Sequence, residues 1–407
     1  MIRRVLLVST LLASPALALS PSPASAAATV APAPALHVTV RPDGMDVHTG
    51  QRLMRVTALA AGVLRVRIGL DGALAEDASW AVPEAVRHAT APVKPLLNGF
   101  STGELSATVD AAGRLTVRDA AGHILSRDAD PVEQRGKGFA LAKAMPQNDR
   151  YYGLGDKTGP LDRRGMAYTM WNTDAGFQET TDPIYKSIPY YIQVAPDGRA
   201  SGLFLDNSWR GFFDFGKTER DTLRFGAEGG PIDYYVLAGP TVKDVVARYA
   251  KLTGPSPLPP MWALGFQQSR YSYMSADEVR GIAARCRKDQ IPLDAIYLDI
   301  DYQDRNRPFT TNPKTFPDMA GLVRDMKAQD VRIVAITDLH IAAAPGQGYQ
   351  PFDSGMAGDH FVKAANGRVY VGKVWPGPAV FPDFTRAKTR DWWGGLYKQF
   401  ATDGIAG

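Results

Sequence analysis

The stretch 295-AIYLDIDYQD-304 decides the reading of the chain, because an apolar run ends abruptly in carboxylates at Asp299, Asp301 and Asp304. Side chains alternate along a strand. Leu293, Ala295, Tyr297, Asp299 and Asp301 should therefore share one face, and Ile296, Leu298 and Ile300 the other. One face stays greasy while its opposite turns acidic at the C-terminal tip. A strand buried on both sides tolerates that only where its end opens into a polar cavity.

The surrounding sequence has the period of parallel strands joined by helices. Ser275 and Glu278 have capping-box spacing ahead of a helix carrying Val279, Ile282, Ala283 and Cys286 on one face. A second helix is expected from about Asp318, with Met319, Leu322, Val323 and Met326 at the same spacing. Apolar 261-MWALGFQQ-268, 293-LDAIYLDID-301 and 332-RIVAITD-338 read as the strands between them. This alternation implies parallel strands with right-handed crossovers. After Phe266 comes polar and aromatic Gln-Gln-Ser-Arg-Tyr-Ser-Tyr instead of a glycine-rich phosphate turn. A (β/α) barrel with acids and aromatics at its mouth therefore fits better than an open dinucleotide-binding sheet.

From about His37 to Val236 the period is short. Segments 37-HVTV-40, 63-VLRVRIG-69, 114-RLTVRD-119 and 201-SGLFLD-206 alternate, with turn residues at Asp43-Gly44, Asp71-Gly72 and Asp197-Gly198. That density of strands and turns argues for an antiparallel β-sandwich. The glycines of 153-GLGDKTG-159 sit in this half without a following helix, which weakens a dinucleotide reading. A helix over 239-GPTVKDVVARYAKLTG-254, closed by Gly254, leads into the second half. The expected division is a leader at 1–26, a tether at 27–36, a sandwich at 37–238 and a barrel segment at 239–407.

The leader rests on Arg3 and Arg4, the apolar run 5-VLLVSTLLA-13 and small-residue cleavage options at Ala16-Leu17-Ala18 and Ala24-Ser25-Ala26. The apolar run is short for a bilayer span, so export to the periplasm or the extracellular space is expected, without stable membrane insertion after cleavage. Pro/Ala/Ser-rich 20-SPSPASAAATVAPAPA-35 reads as a tether. Lys and Arg number 46 against 42 Asp and Glu, a net +4 with no basic block, which argues against a nucleic-acid partner. The single cysteine, Cys286, excludes an internal disulfide framework, and its helical phase makes it a core residue.

Beyond the strand ends lie Arg270, Tyr271 and Tyr273, then Asp299, Asp301 and Asp304, then Asp338 and His340, followed by the excursion 373-KVWPGPAVFPDF-384. Acceptors beside flat aromatic faces suit a sugar, whose hydroxyls need acceptors and whose C–H faces need an apolar platform. The stretches 258-LPPMWALGF-266, 297-YLDIDYQD-304 and 373-KVWPGPAVFPDF-384 resemble glycoside hydrolase family 31, the family of α-glucosidases and α-xylosidases. The β half is similar too: 153-GLGDKTGPLDRRGMAYTMWNTDA-175 and 182-DPIYKSIPYYI-192 look like that family's galactose-mutarotase-like N-terminal sandwich. The resemblance covers roughly residues 40–407.

The resemblance implies that Asp299 grips hydroxyls of the sugar in the −1 subsite and that Trp375 walls the pocket. It further implies that Ile336 and Tyr271 line the pocket and that Asp174, on a sandwich loop, contacts the leaving-group sugar. Tyr271 departs from the tryptophan of some members. Plainer readings stand beside these. Asp301 and Asp304 suit turn caps; Asp338 could hold loop amides as readily as substrate; Trp375 could be packing alone. His340 has no second ligand at metal-binding spacing, so no metal is expected, nor any cofactor. Asp383 and Arg386 read as braces of the excursion.

The family's nucleophilic aspartate ends the fourth barrel strand, and its acid/base aspartate lies farther along. Here 402-TDGIAG-407 reads as the opening of a fourth strand, so both are expected beyond Gly407. Asp299 and Asp301, about 7 Å apart on one wall, do not suit attack and protonation from different directions. The expected activity is retaining cleavage of terminal α-linked glucose in an oligosaccharide or α-glucoside, with this chain holding the recognition part of an incomplete barrel. An α-xylosidase, a non-catalytic carbohydrate-binding remnant and a sandwich-only lectin are the alternatives.

Overall fold

The computed structural model describes residues 35–407 except residue 177. The expected leader and all but the last two residues of the expected tether lie outside the described residues. The chain divides into two compact units between Ser256 and Pro257, not ahead of Gly239. The reason is the helix Val242–Thr253, whose Val245 and Leu252 bury against Tyr190, Phe204 and Tyr235 of the first unit. Thr241 and Asp244 cap that helix reciprocally, and Gly254 ends it, as its sequence anticipates.

The first unit is the antiparallel sandwich. Among the described residues it pairs an eight-stranded with a nine-stranded sheet, and one core cluster draws on both, including Val56 and Tyr234 from one sheet and Phe213 and Phe225 from the other. Alternation predicts the inward residues well, as Leu105, Ala107 and Val109 show by being buried in turn. The Asp197-Gly198 turn works because Gly198 adopts φ +86°, letting Val194 pair with Ala200.

The second unit carries the parallel strands in short form. Gln267–Gln268, Ala295–Leu298 and Arg332–Ala335 form a parallel sheet in that order. The helices Ala276–Lys288 and Met319–Lys327 connect them. Ser275 accepts from the Glu278 amide and Asp318 from the Gly321 amide, at 3.2 and 2.7 Å. Val279, Ala283 and Cys286 pack with Leu322, Val323 and Met326 over Ile296, Leu298 and Ile333. Cys286 is thus a buried core thiol.

Three sequence readings need correction. Met261–Leu264 is a 3-10 helix rather than the start of a strand. Pro259 and Pro260 precede it, and Met261 is 83% exposed, so the apolar run has no sheet to join. The second barrel strand stops at Leu298: Asp299 caps a 3-10 helix over Ile300–Tyr302, its carboxylate accepting from the Ile300 amide at 2.7 Å. Asp301 therefore lies in that turn and not two places up the same wall, and the 7 Å strand spacing does not apply. Leu293, ahead of the strand, packs with the helix-side cluster instead of sharing the face of Ala295.

Residues 405–407 run along the outer edge of the third barrel strand. The Ala406 amide donates to the Ile333 carbonyl at 2.8 Å, and the Gly407 carbonyl accepts from Ala335 at 3.0 Å. The expected strand opening at 402–407 is therefore corrected: Thr402 and Asp403 end the helix Lys398–Asp403, Gly404 closes it at φ +83°, and only the last three residues extend along the sheet. The excursion between the third strand and the last helices builds its own small antiparallel sheet from Ile341–Ala342, Gly377–Val380 and Gly372–Val374. A separate core of Ile341, Tyr349, Phe352, Phe361 and Val380 supports it.

Candidate functional site

The barrel mouth is assembled by backbone register. Leu298 pairs with Ala335, so Asp299 and Ile336, the next residues, stand side by side at the tips of adjacent strands. The Ile336 amide continues the ladder to the Leu298 carbonyl at 2.9 Å. Its carbonyl is clamped from the other side by the Tyr302 hydroxyl at 3.0 Å and Gln303 Nε2 at 3.4 Å. Burial pushes the Tyr302 hydroxyl up to about 12, so it stays a donor at any physiological pH. The 3-10 turn capped by Asp299 thereby fixes the neighbouring strand tip as well.

Below the mouth, the inner face carries a polar relay. The Tyr297 hydroxyl donates to Gln267 Oε1 at 2.6 Å, and Gln267 Nε2 donates to the Ala263 carbonyl at 2.6 Å. Neither residue was singled out from the sequence, although alternation already placed Tyr297 on the face of Asp299. Tyr302 and Gln303 were missed for a different reason: the strand was read through to residue 301, which hid the turn.

The first strand opens into the loop holding Tyr271, which is 78% exposed, while Tyr273 is buried with its hydroxyl bound by Gln268 at 3.0 Å. Arg270 lies over the Tyr273 ring at 5.6 Å, which ties down the loop and leaves Tyr271 displayed. Asp338 follows Ile336 by two residues, with His340 Nδ1 3.9 Å from its carboxylate. Burial lowers the His340 pKa and Asp338 pulls it back, so the imidazole is neutral near pH 7. Trp375 occupies the turn of the hairpin whose Val374 pairs with Gly377, and it is 68% exposed. Packing alone does not account for it. Asp304 pairs with Arg305 at 2.9 Å in a second 3-10 turn, the local role weighed for it. Asp383 accepts from Thr385, and Arg386 binds the Asp359 carbonyl and carboxylate, so both brace the excursion.

Asp174 belongs to the first unit, four residues beyond the strand that ends at Met170. It accepts a hydrogen bond from Tyr185, which raises the pKa of that phenol. Among the described residues no group of three or more His, Cys, Asp or Glu could hold a metal ion. None of the described helices is long and apolar enough to cross a membrane. Chemically, the strand tips offer a carboxylate held by its own cap and a fixed aliphatic neighbour, while Tyr271 and Trp375 are displayed on separate loops of the same unit. That combination can grip hydroxyls and cover a sugar's C–H faces.

Comparison with known proteins identifies the family of both units. The sequence model of the glycosyl hydrolases family 31 TIM-barrel domain matches residues 256–407, and that of the glycosyl hydrolase 31 N-terminal galactose mutarotase-like domain matches residues 53–214. Alpha-glucosidase 2 of Bacillus thermoamyloliquefaciens is 49% identical over 268 residues, 65% of this chain and 33% of that protein. An alpha-glucosidase of Saccharolobus solfataricus is 37% identical over 68% of this chain and 39% of its own length. The chain thus spans between a third and two fifths of these curated relatives. Among solved structures, a family 31 dextranase of Flavobacterium johnsoniae complexed with isomaltotriose superposes with a TM-score of 0.84 at 28% identity, covering 92% of this chain and 47% of that one.

Proposed function

Because the chain belongs to glycoside hydrolase family 31, we propose that it supplies the sugar-gripping part of an exported, retaining α-glucosidase. One observation carries the reading: Asp299 stands at the C-terminal tip of the second parallel strand, beside Ile336 and held by the Ile300 amide. The α-glucosidase relatives favour glucose over xylose as the sugar. In this reading Asp299 accepts from sugar hydroxyls, while Trp375, Tyr271 and Ile336 supply apolar walls. Asp338 adds a second acceptor, and Asp174 contacts the leaving-group sugar.

Retention requires two carboxyl groups about 5–5.5 Å apart, one attacking the anomeric carbon and the other protonating the leaving oxygen. By resemblance to the family, the first belongs at the end of the fourth barrel strand and the second farther along. The opposite charge of the acidic mouth would favour the oxocarbenium-like transition state. The substrate is a terminal α-glucoside of an oligosaccharide, and the reaction needs no cofactor. Export follows from Arg3, Arg4 and the apolar run behind them; sequencing the N-terminus of protein secreted by a bacterial host checks it.

The test of function is direct. The enzyme carrying this segment should release nitrophenol from aryl α-glucoside well above aryl α-xyloside. Asp299→Ala should lower kcat/KM by at least a hundredfold, while its denaturation midpoint moves little, as for loss of one cap worth about 1 kcal/mol. Faster turnover of the xyloside would move the assignment to α-xylosidase. Sugar binding without turnover in the whole protein would leave a recognition module alone.

A further inference from the structure

We propose that the sandwich carries a second sugar-binding site of its own, built on Trp209 and Trp80. It lies wholly within the first unit and does not depend on the reading of the barrel mouth. A cavity of about 960 Å³, the size of sites that hold an oligosaccharide or other small ligand, opens there between the loop around Ser79, the ends of the strands near Met170 and Leu205, and Pro231.

Trp209 forms its floor. A Cβ added at Gly229 or Gly230 would fall 2.7 or 2.4 Å from the indole, so the ring lies flat on a backbone that only glycine keeps bare, and Gly230 also has φ +78°. Asn207 locks this arrangement. Its side-chain amide donates to the Gly229 and Pro231 carbonyls, both at 2.9 Å, and its Oδ1 accepts from the Trp209 amide at 2.8 Å. One face of the indole is thus fixed against backbone while the side chain remains 53% exposed. Trp80, on the opposite loop, is 86% exposed. A large apolar ring that the chain holds in place and does not cover is costly unless something else stacks on it.

The polar lining selects the ligand. Glu76 and Asp206 line the cavity, and no Lys, Arg or His does. Anionic ligands such as phosphates are therefore disfavoured. The Asp206 carboxyl is held at the wall by the Ser79 side chain, its Oδ2 buried, and burial raises its pKa. Acidic side chains beside two displayed indoles, with no cationic side chain in the lining, match an uncharged polyhydroxylated ring better than a lipid.

Maltotriose titrated into the protein, followed by indole fluorescence, tests the site. Saturable quenching is expected. Trp80→Ala and Trp209→Phe should each weaken it tenfold or more. The titration is made in the Asp299→Ala background, so that binding at the barrel mouth does not contribute, and the saturable quenching should persist there; its loss in that background would assign the signal to the barrel mouth and overturn the proposal. Trp80 is so exposed that its removal should not move the melting temperature, which separates lost binding from lost fold. Absence of saturable quenching, unchanged affinity in both tryptophan variants, or equal quenching by choline at the same concentration would also overturn it. The last outcome would identify an aromatic cage for cations.

Discussion

In the sandwich, Phe213 and Phe225 stack at 5.2 Å between two antiparallel sheets whose strands run to twelve residues. The barrel unit hangs from parallel strands of two to four residues. Among the described residues its first strand pairs with the second alone, and Met261 and Leu264 stand exposed beside it. The contrast follows from connectivity. An antiparallel hairpin satisfies its backbone within a few residues, whereas a parallel strand needs a partner from beyond a helix, and a barrel needs its last strand to protect its first. The sandwich closes on its own sequence, and the barrel segment does not.

The strongest way to break this contrast is to express the 407 residues alone. The open edge and bare apolar positions predict aggregation, or loss of barrel structure while the sandwich stays folded. A soluble monomer melting in one cooperative transition would refute that. Next come paired core deletions. Phe225→Ala should cost the sandwich about 3–5 kcal/mol by urea denaturation, and Ile296→Ala in the barrel about 2–3 kcal/mol, because looser surroundings collapse into the gap more readily. Equal costs would mean that the short parallel sheet is packed as tightly as the sandwich.

Helix caps sharpen the comparison at smaller scale. Thr241 and Asp244 cap each other's backbone in the sandwich helix. In the barrel helix Ser275 accepts from Glu278, but the Glu278 carboxylate is spent on the Met274 amide at 2.7 Å. Thr241→Ala should therefore cost about 1–2 kcal/mol and Ser275→Ala about 0.5–1 kcal/mol. The smallest effect is one of pH. Burial holds the folded pKa of His340 below that of the unfolded chain, near 6.5. The unfolded state binds the proton first as pH falls. Barrel stability is therefore full above about pH 6.5 and declines below it until the folded imidazole also protonates. His340→Gln should flatten the dependence of the denaturation midpoint between pH 7.5 and 5; an unchanged slope would place the titration elsewhere.

Where the sequence could be read, the cause was local. Ser275 and Asp318 are caps because a side-chain oxygen three residues before an amide reaches it whatever surrounds the helix. Val279, Ala283 and Cys286 are buried because helical phase leaves them no other face. Where it misled, the cause lay at a distance. The run from Met261 is as apolar as a strand, but it finds no neighbour and becomes a 3-10 helix. The small sheet carrying Trp375 could not be foreseen in the excursion, because its strands are two to four residues long and owe their pairing to each other.

By itself, then, the order of residues settled the two-part architecture, the helices with their caps, and an acid at the tip of the second parallel strand. These follow from periodicity and from contacts within one turn. Only the tertiary structure decided that Asp299 caps a turn rather than extending a strand, that Tyr302 and Gln303 clamp Ile336, and that Trp375 is displayed rather than packed. Each of those depends on hydrogen-bond partners or open space supplied by segments distant in the chain, which no local pattern encodes.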